Sequence, residues 1–238
     1  MKRFKRPLLI FLCTLLAIYL IAITYVPNDA SINKYDFSEI ASGSNRSNKY
    51  LKYGMQAFNG APEISVLINH FKNKHNITIA VETGTYIGGT TALLANVFSK
   101  VYTIEIVEEH ISKAKENLKD FTNIKYHLGS SPDMLQKLLP KLEGKNVLFY
   151  LDAHWQNYWP VLDELKLISQ VYNKNTVIII DDIKVPGRLD IDYDRFGSNE
   201  LSLEHFNNTL KNNFKNYKIE YIIPKEYNSR AKMVISFE

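Results

Sequence analysis

The chain of 238 residues has one cysteine, Cys13, and it falls in an apolar N-terminal run. Disulfides, a cysteine-ligated zinc site and a cysteine nucleophile are therefore excluded downstream of it. Acidic side chains are missing from residues 1–26, where Lys2, Arg3, Lys5 and Arg6 are the only charges. Four of the 29 basic residues lie there, and the 25 that remain meet 25 acidic ones, so the formal charge of +4 belongs to the N-terminus. The rest of the chain is neutral and leaves no basic footprint for nucleic acid. No internal repeat is visible, and no Gly-x-Gly-x-x-Gly dinucleotide fingerprint occurs.

What is present is the run Ala80 to Thr91, Ala-Val-Glu-Thr-Gly-Thr-Tyr-Ile-Gly-Gly-Thr-Thr. It reads as an apolar strand that breaks at Gly84 into a glycine-rich turn, with a helix beginning near Thr90 or Thr91. Gly84 permits a sharp turn, and Gly88 and Gly89 lack the Cβ atoms that would keep a ligand from the main chain. The free amides of the helix start then face a pocket. Thr85 and Tyr86 follow Gly84 and no glycine returns until Gly88, so the turn suits a ligand without a pyrophosphate. S-adenosylmethionine (SAM) is such a ligand.

Residues 1–26 read as a basic tail and a membrane anchor: Pro7 to Val26 is an uncharged apolar stretch, and about 20 residues at a rise of about 1.5 Å span a bilayer. A cleaved signal peptide is the alternative; the stretch exceeds the usual apolar core of one and no Ala-x-Ala site follows. The basic N-terminus predicts a cytoplasmic Met1 and a domain on the other side, in tension with a ligand made in the cytosol. Residues 27–48, rich in Ser and Asn, read as a linker, and 49–238 as the folded domain.

Within that domain strand and helix patterns alternate. A helical segment, Pro62–Lys74, carries Ile64, Leu67, Ile68 and Phe71 on one face. Strands are expected at Ile77–Gly84, Val101–Ile106, Ile124–Gly129, Val147–Asp152, Thr176–Ile183, Tyr217–Pro224 and Lys232–Phe237. Helices are expected at Thr90–Ser99, Glu108–Asp120, Pro132–Leu142, Trp159–Val171 and Ser202–Phe214. Strand-then-helix units demand a parallel sheet covered on both faces. The last two strands, joined by a short turn, must pair antiparallel. The expected fold is a doubly wound, seven-stranded, mostly parallel α/β sheet ending in an antiparallel hairpin, the pattern of class I methyltransferases.

Open α/β sheets bind ligands beyond the carboxyl ends of their strands, and acidic residues gather there. Glu105 ends the second strand about 20 residues after the glycine turn, where a carboxylate accepts ribose hydroxyls. Glu82 either holds groups of the turn or faces the ligand's ammonium. Asp152, in Leu151-Asp-Ala-His-Trp155, and the pair Asp181–Asp182 close strands expected to be neighbours, about 4.8 Å apart. Three close carboxylates repel one another unless protonated or bridged by a cation, and Mg²⁺ fits that need; capping of loops or helices is the alternative. His154 is a candidate proton acceptor or a structural histidine. Lys184 is a second candidate base or an exposed loop lysine. Val185 to Glu200, polar and aromatic, suits a substrate lid, and its acidic residues read as loop acidity.

From about Met55 onward these motifs together resemble the catechol O-methyltransferase-like family of Mg²⁺- and SAM-dependent enzymes, including sugar and natural-product O-methyltransferases. The matching segments are Glu82 to Thr90, Thr103 to Ile106, Gly129 to Asp133, Leu151 to Trp155, and Asp181 to Gly187. The resemblance implies that Glu105 binds ribose, that Ser131 lies near the adenine, and that Gly84 and Tyr86 line the SAM pocket, together with Glu82, Gly88, Thr90 and Asp152. It implies Asp152, Asp181 and Asp182 as metal ligands. The chain departs from catechol-type enzymes in having Gln156 where a lysine base follows His-Trp, Ala153 inserted before the histidine, and Asp182 in place of Asn. The implied function is methyl transfer to a hydroxyl of a small molecule or sugar. A SAM-binding protein without catalysis and a metal-independent methyltransferase are the rivals.

Overall fold

The computed structural model describes residues 57–60, 64–154, 158–223 and 230–238. The anchor over 1–26, the linker over 27–48, Trp155 and Gln156 lie outside the described residues, and among these no helix is long and apolar enough to cross a membrane.

Short runs of β-branched and aromatic residues build the sheet. In chain order the strands are β1 (Ile79–Thr83), β2 (Lys100–Glu105), β3 (Ile124–Leu128), β4 (Val147–Leu151), β5 (Val177–Ile180), β6 (Arg195–Phe196), β7 (Asn199–Glu200), β8 (Tyr217–Ile222) and β9 (Lys232–Phe237). Seven form one sheet in the order β3-β2-β1-β4-β5-β9-β8, while β6 and β7 pair by themselves. The first five are parallel, and β9 runs antiparallel to both β5 and β8. Strand order reverses between β1 and β4, so the crevice at their carboxyl ends is the topological switch point where such sheets take ligands.

Every residue of β4, β5 and β9 is buried, as expected of strands covered on both faces. Alternate residues feed two cores. Phe149, Leu151, Ile178 and Ile180 pack with Leu135, Leu165 and Phe206, while Leu148, Tyr150, Val177 and Ile179 pack with Phe58, Leu67 and Phe71. The covering helices are α1 (Ile64–Lys74), α2 (Gly89–Val97), α3 (Glu108–Asn117), α4 (Ser131–Leu138), α5 (Val161–Ile168) and α6 (Leu203–Asn213). Truncating an interior aromatic such as Phe149 to alanine costs about 3–5 kcal/mol.

Boundaries differ from the sequence reading where proline acts. The helix expected over Pro132–Leu142 stops at Leu138 and tightens into a 3₁₀ turn at Leu139–Lys141, because Pro140 donates no N–H and crowds the preceding turn. The helix expected from Trp159 begins after Pro160. The loop expected over 185–200 contains the small β6–β7 hairpin.

Candidate active site

The turn after β1 is shaped first by the protein's own backbone. At Gly84, with φ +86, a Cβ would lie 2.5 Å from the carbonyl oxygen of Asp152, so only glycine lets the tips of β1 and β4 approach. Gly88 corrects the reading of a ligand cradle. Its missing Cβ clears the Leu118 side chain, which would be 2.7 Å away, so this glycine serves packing after α3. Thr90 likewise turns inward, its hydroxyl accepting the Phe58 N–H at 3.1 Å. Glu82 takes the structural alternative. It is fully buried, and the Thr91 and Thr103 hydroxyls donate to its Oε2 at 2.5 and 2.6 Å. Burial pushes its carboxyl up from 4.5 to about 7.

Gly84 and Tyr86 do face a cavity of about 450 Å³, which Glu105, Ser131, Asp152 and His154 also line. Glu82, Gly88, Thr90, Asp181 and Lys184 do not line it. Glu105, at the end of β2, is buried and held by three backbone amides. Ile106 and Val107 donate to Oε1, each at 2.9 Å, and Tyr86 donates to Oε2 at 2.8 Å. A carboxylate has about four acceptor positions, so roughly one is left for a ligand where the sequence suggested a contact to each of the two ribose hydroxyls. Tyr86 reaches Glu105 from a left-handed backbone, φ 47, a sparsely populated conformation that clusters at ligand sites. Its ring meets His110 edge to face at 4.9 Å.

Ser131 opens α4 and is buried, with its hydroxyl lacking a hydrogen-bond partner. Behind it stands Glu164 of α5, which sequence reasoning missed. Glu164 is fully buried, and neither of its oxygens has a partner at hydrogen-bond geometry. Burial raises its carboxyl to about 7, opposed by the nearby hydroxyls of Ser131 and Thr83. These approach closely enough to stabilise the charged form without reaching hydrogen-bond geometry. A signal was present: Val161, Glu164, Leu165 and Ile168 follow the i, i+3, i+4, i+7 spacing of a buried helix face, and Glu164 interrupts that apolar stripe.

The three aspartates converge as expected, but cations of the chain come with them. Asp181 is buried, with Oδ1 2.5 Å from Nζ of Lys232, itself fully buried. Its Oδ1 also accepts the Asp182 N–H at 2.7 Å, and its Oδ2 accepts the Tyr150 hydroxyl. Asp182, at φ 53, has Oδ2 2.7 Å from Arg230 Nη1. Arg230 further engages Asp194 and lies 3.4 Å from Asp192. Burial and Asp181 push the Asp182 carboxyl up, while Lys232 and Arg230 pull it down. The net effect is a carboxyl raised to about 7, with the Arg230 guanidinium at contact distance favouring its charged form. Asp152, half-buried at the cavity wall, is raised well above the usual carboxylate range by burial and by Asp181 and Asp182.

This donor set does not fit Mg²⁺. Lys232, the Asp182 N–H and the Tyr150 hydroxyl leave Asp181 about one acceptor position, and Asp182 is held by Arg230, whereas a hard cation needs several carboxylate oxygens at once. Among the described residues no group of three acidic, histidine or cysteine side chains is arranged to hold a metal.

His154 lines the cavity half-exposed, its Nδ1 3.4 Å from Oδ2 of Asp194. Asp194, read from sequence as loop acidity, is thus its carboxylate neighbour. Lys184 corrects a further expectation. Its Nζ is paired with Glu200 and lies 5.3 Å from the centre of the Tyr193 ring. The hydrogen bond to Glu200 raises its pKa, so Lys184 is held as a cation and is not a base for the cavity.

No protein-family model and no curated protein sequence matches the chain. Solved structures do. The O-methyltransferase TomG from Streptomyces achromogenes, involved in tomaymycin synthesis and bound to SAM, superposes with a TM-score of 0.60 at 15% identity, covering 86% of this chain and 97% of that one. An O-methyltransferase from Bacillus cereus, in complex with S-adenosylhomocysteine (SAH), gives 0.58 at 16% identity, covering 92% and 96%. An SAH-bound methyltransferase from Podospora anserina gives 0.53 at 14% identity, covering 81% and 87%. At such identities the likeness is one of architecture: the chain has the fold of the class I SAM-dependent methyltransferases.

Proposed function

We propose that the chain binds SAM in the cavity at the switch point and transfers its methyl group to a hydroxyl of a small molecule or sugar. The observation that carries this reading is Glu105, a buried carboxylate fixed by three amides at the rim of a cavity of about 450 Å³. When bound, SAM supplies a methyl group on a positively charged sulfur. Glu105 holds the ribose through its remaining acceptor position, and the unpartnered Ser131 hydroxyl offers a hydrogen bond to the adenine side. Tyr86 and His110 wall the same half.

Asp152 and His154 face the cavity from the segment after β4 and make up the acceptor half. The acceptor oxygen bonds to the methyl carbon while the carbon–sulfur bond breaks and leaves its electron pair on sulfur. The hydroxyl proton passes to His154, whose imidazolium Asp194 then stabilises. A carboxylate-lined half with Tyr158 at its edge suits polyhydroxylated acceptors. The apolar run Pro7 to Val26 tethers the domain to a membrane in this reading, on the strength of its length and lack of charge.

Calorimetry of the full chain in detergent with SAM tests the proposal. Binding is expected, and Glu105→Ala should weaken it by about 1–3 kcal/mol, roughly 5–150-fold. Absence of binding by the folded wild type, or an unchanged affinity in folded Glu105→Ala, would overturn it.

A further inference from the structure

Lys232 opens β9, fully buried, yet points its ammonium into the protein. Burial of a lysine is costly unless the charge is paired. The register explains the pairing. β9 runs antiparallel to β5 with Ile180 opposite Met233, and one further step sets Lys232 against Asp181, where Nζ reaches Oδ1 at 2.5 Å. Two residues earlier Arg230 reaches Asp182 at 2.7 Å. The fold thus delivers two positive charges to the carboxylates expected to hold one divalent ion.

We propose that Lys232 and Arg230 replace that ion, so the acceptor half of the cleft is built to work without metal and Asp152 is left to take the acceptor's hydroxyl. This rests on the methyl-transfer reading for its chemistry and on geometry alone for its metal independence. A divalent ion placed between Asp181 and Asp182 would meet both cations and would have to strip Asp181 of the Tyr150 hydroxyl and the Asp182 amide. Lys232 and Arg230 are positioning residues. They fix Asp181 and Asp182, keep Asp182 in its left-handed conformation and hold Asp194 beside His154. A point charge and a planar fork bound from one side cannot also coordinate the acceptor oxygen as a metal would, so removal of the hydroxyl proton falls to His154 beside Asp194, with Asp152 left to hydrogen-bond the acceptor.

Electron paramagnetic resonance of Mn²⁺ added to the full chain tests this without SAM or an acceptor. The wild type is expected to leave millimolar Mn²⁺ free, whereas Lys232→Met and Arg230→Gln should each gain a site at least about tenfold tighter, since removing a nearby unit charge at short range is worth that much or more. The gained site should vanish when Asp181→Asn is added. Arg230 is partly exposed, so Arg230→Gln carries the test if Lys232→Met does not fold. One-to-one Mn²⁺ binding by the wild type that Asp181→Asn abolishes would overturn the proposal, as would unchanged Mn²⁺ affinity in Arg230→Gln. Either result leaves SAM binding, read separately by calorimetry, unaffected.

Discussion

Glu105 is fixed by amides at most 19 residues away in sequence, whereas Asp182 is fixed by a guanidinium 48 residues away. The first half of the cleft is thus local: one strand end, one turn and backbone donors that any sequence supplies once the chain bends there. The second is assembled from β4, β5, the loop before α6 and β9, and it depends on charged side chains of opposite sign meeting in the interior. Loop-closure entropy separates the two by less than about 1 kcal/mol; the larger distinction is that the second half buries paired charges, and removing one partner strands the other. The difference teaches where substitutions should hurt: in the first half they disturb ligand affinity, and in the second they disturb the fold itself.

The largest expected effect comes from breaking the second half. Lys232→Met leaves Asp181 buried without its cation and should cost about 3–5 kcal/mol in a denaturant titration. Adding Asp181→Asn should recover a substantial part, because an amide needs no countercharge. A loss below about 1 kcal/mol in Lys232→Met would mean that the interior pair does not hold the acceptor half together.

A smaller effect sharpens the first half through pH. The Glu82 carboxyl is raised in the folded state from 4.5 to about 7. A raised acid binds its proton more tightly when folded, so its contribution to stability is greatest below pH 4.5 and is lost as pH rises to about 7. The linkage amounts to roughly 3 kcal/mol. Glu164, raised to about 7 as well, adds a slope of the same sign. Glu82→Gln should flatten its share of the decline between pH 5 and 8 and leave that of Glu164. A pH profile identical to wild type would show that Glu82 is charged in the fold.

The smallest expected effect marks the boundary of the site. Lys184→Met removes a part-buried ion pair with Glu200 outside the cavity and should leave SAM affinity unchanged and shift the unfolding midpoint little, since pairs open to solvent contribute little. A marked loss of SAM binding would extend the ligand site to the loop of residues 185–200.

Local features were legible in the sequence. The alternation of strands and helices, the position of Glu105 after the glycine turn, and the approach of Asp152 to Asp181 and Asp182 all follow from short-range pattern and from the rule that α/β sheets gather ligands at strand ends. The partners of those aspartates were not legible. Lys232 opens the run Lys-Met-Val-Ile-Ser-Phe, and a lysine at a strand start ordinarily faces water; only the pairing of β9 with β5 turns it inward. Arg230 and Asp194 lie in loops whose meeting is a matter of tertiary register. Gly88 was misread for a related reason, because a glycine that admits a ligand and one that admits a leucine look alike until the neighbouring helix is in place.

The inward lysine also bears on the order in which the molecule assembles. Four carboxylates, Asp152, Asp181, Asp182 and Asp194, converge on ground whose neutralising groups lie on or beside β9, the strand that follows all the others described. Until that strand inserts between β5 and β8, the earlier strands hold an unbalanced negative interior edge, so docking of β9 is a late event that locks a nearly formed sheet. Contacts made after the folding barrier chiefly slow unfolding. In a chevron analysis Lys232→Met should therefore steepen loss through the unfolding rate while the folding rate stays close to that of the wild type. A fall confined to the folding rate would place β9 in the nucleus instead. The countercharges, on this view, act as a latch that closes last.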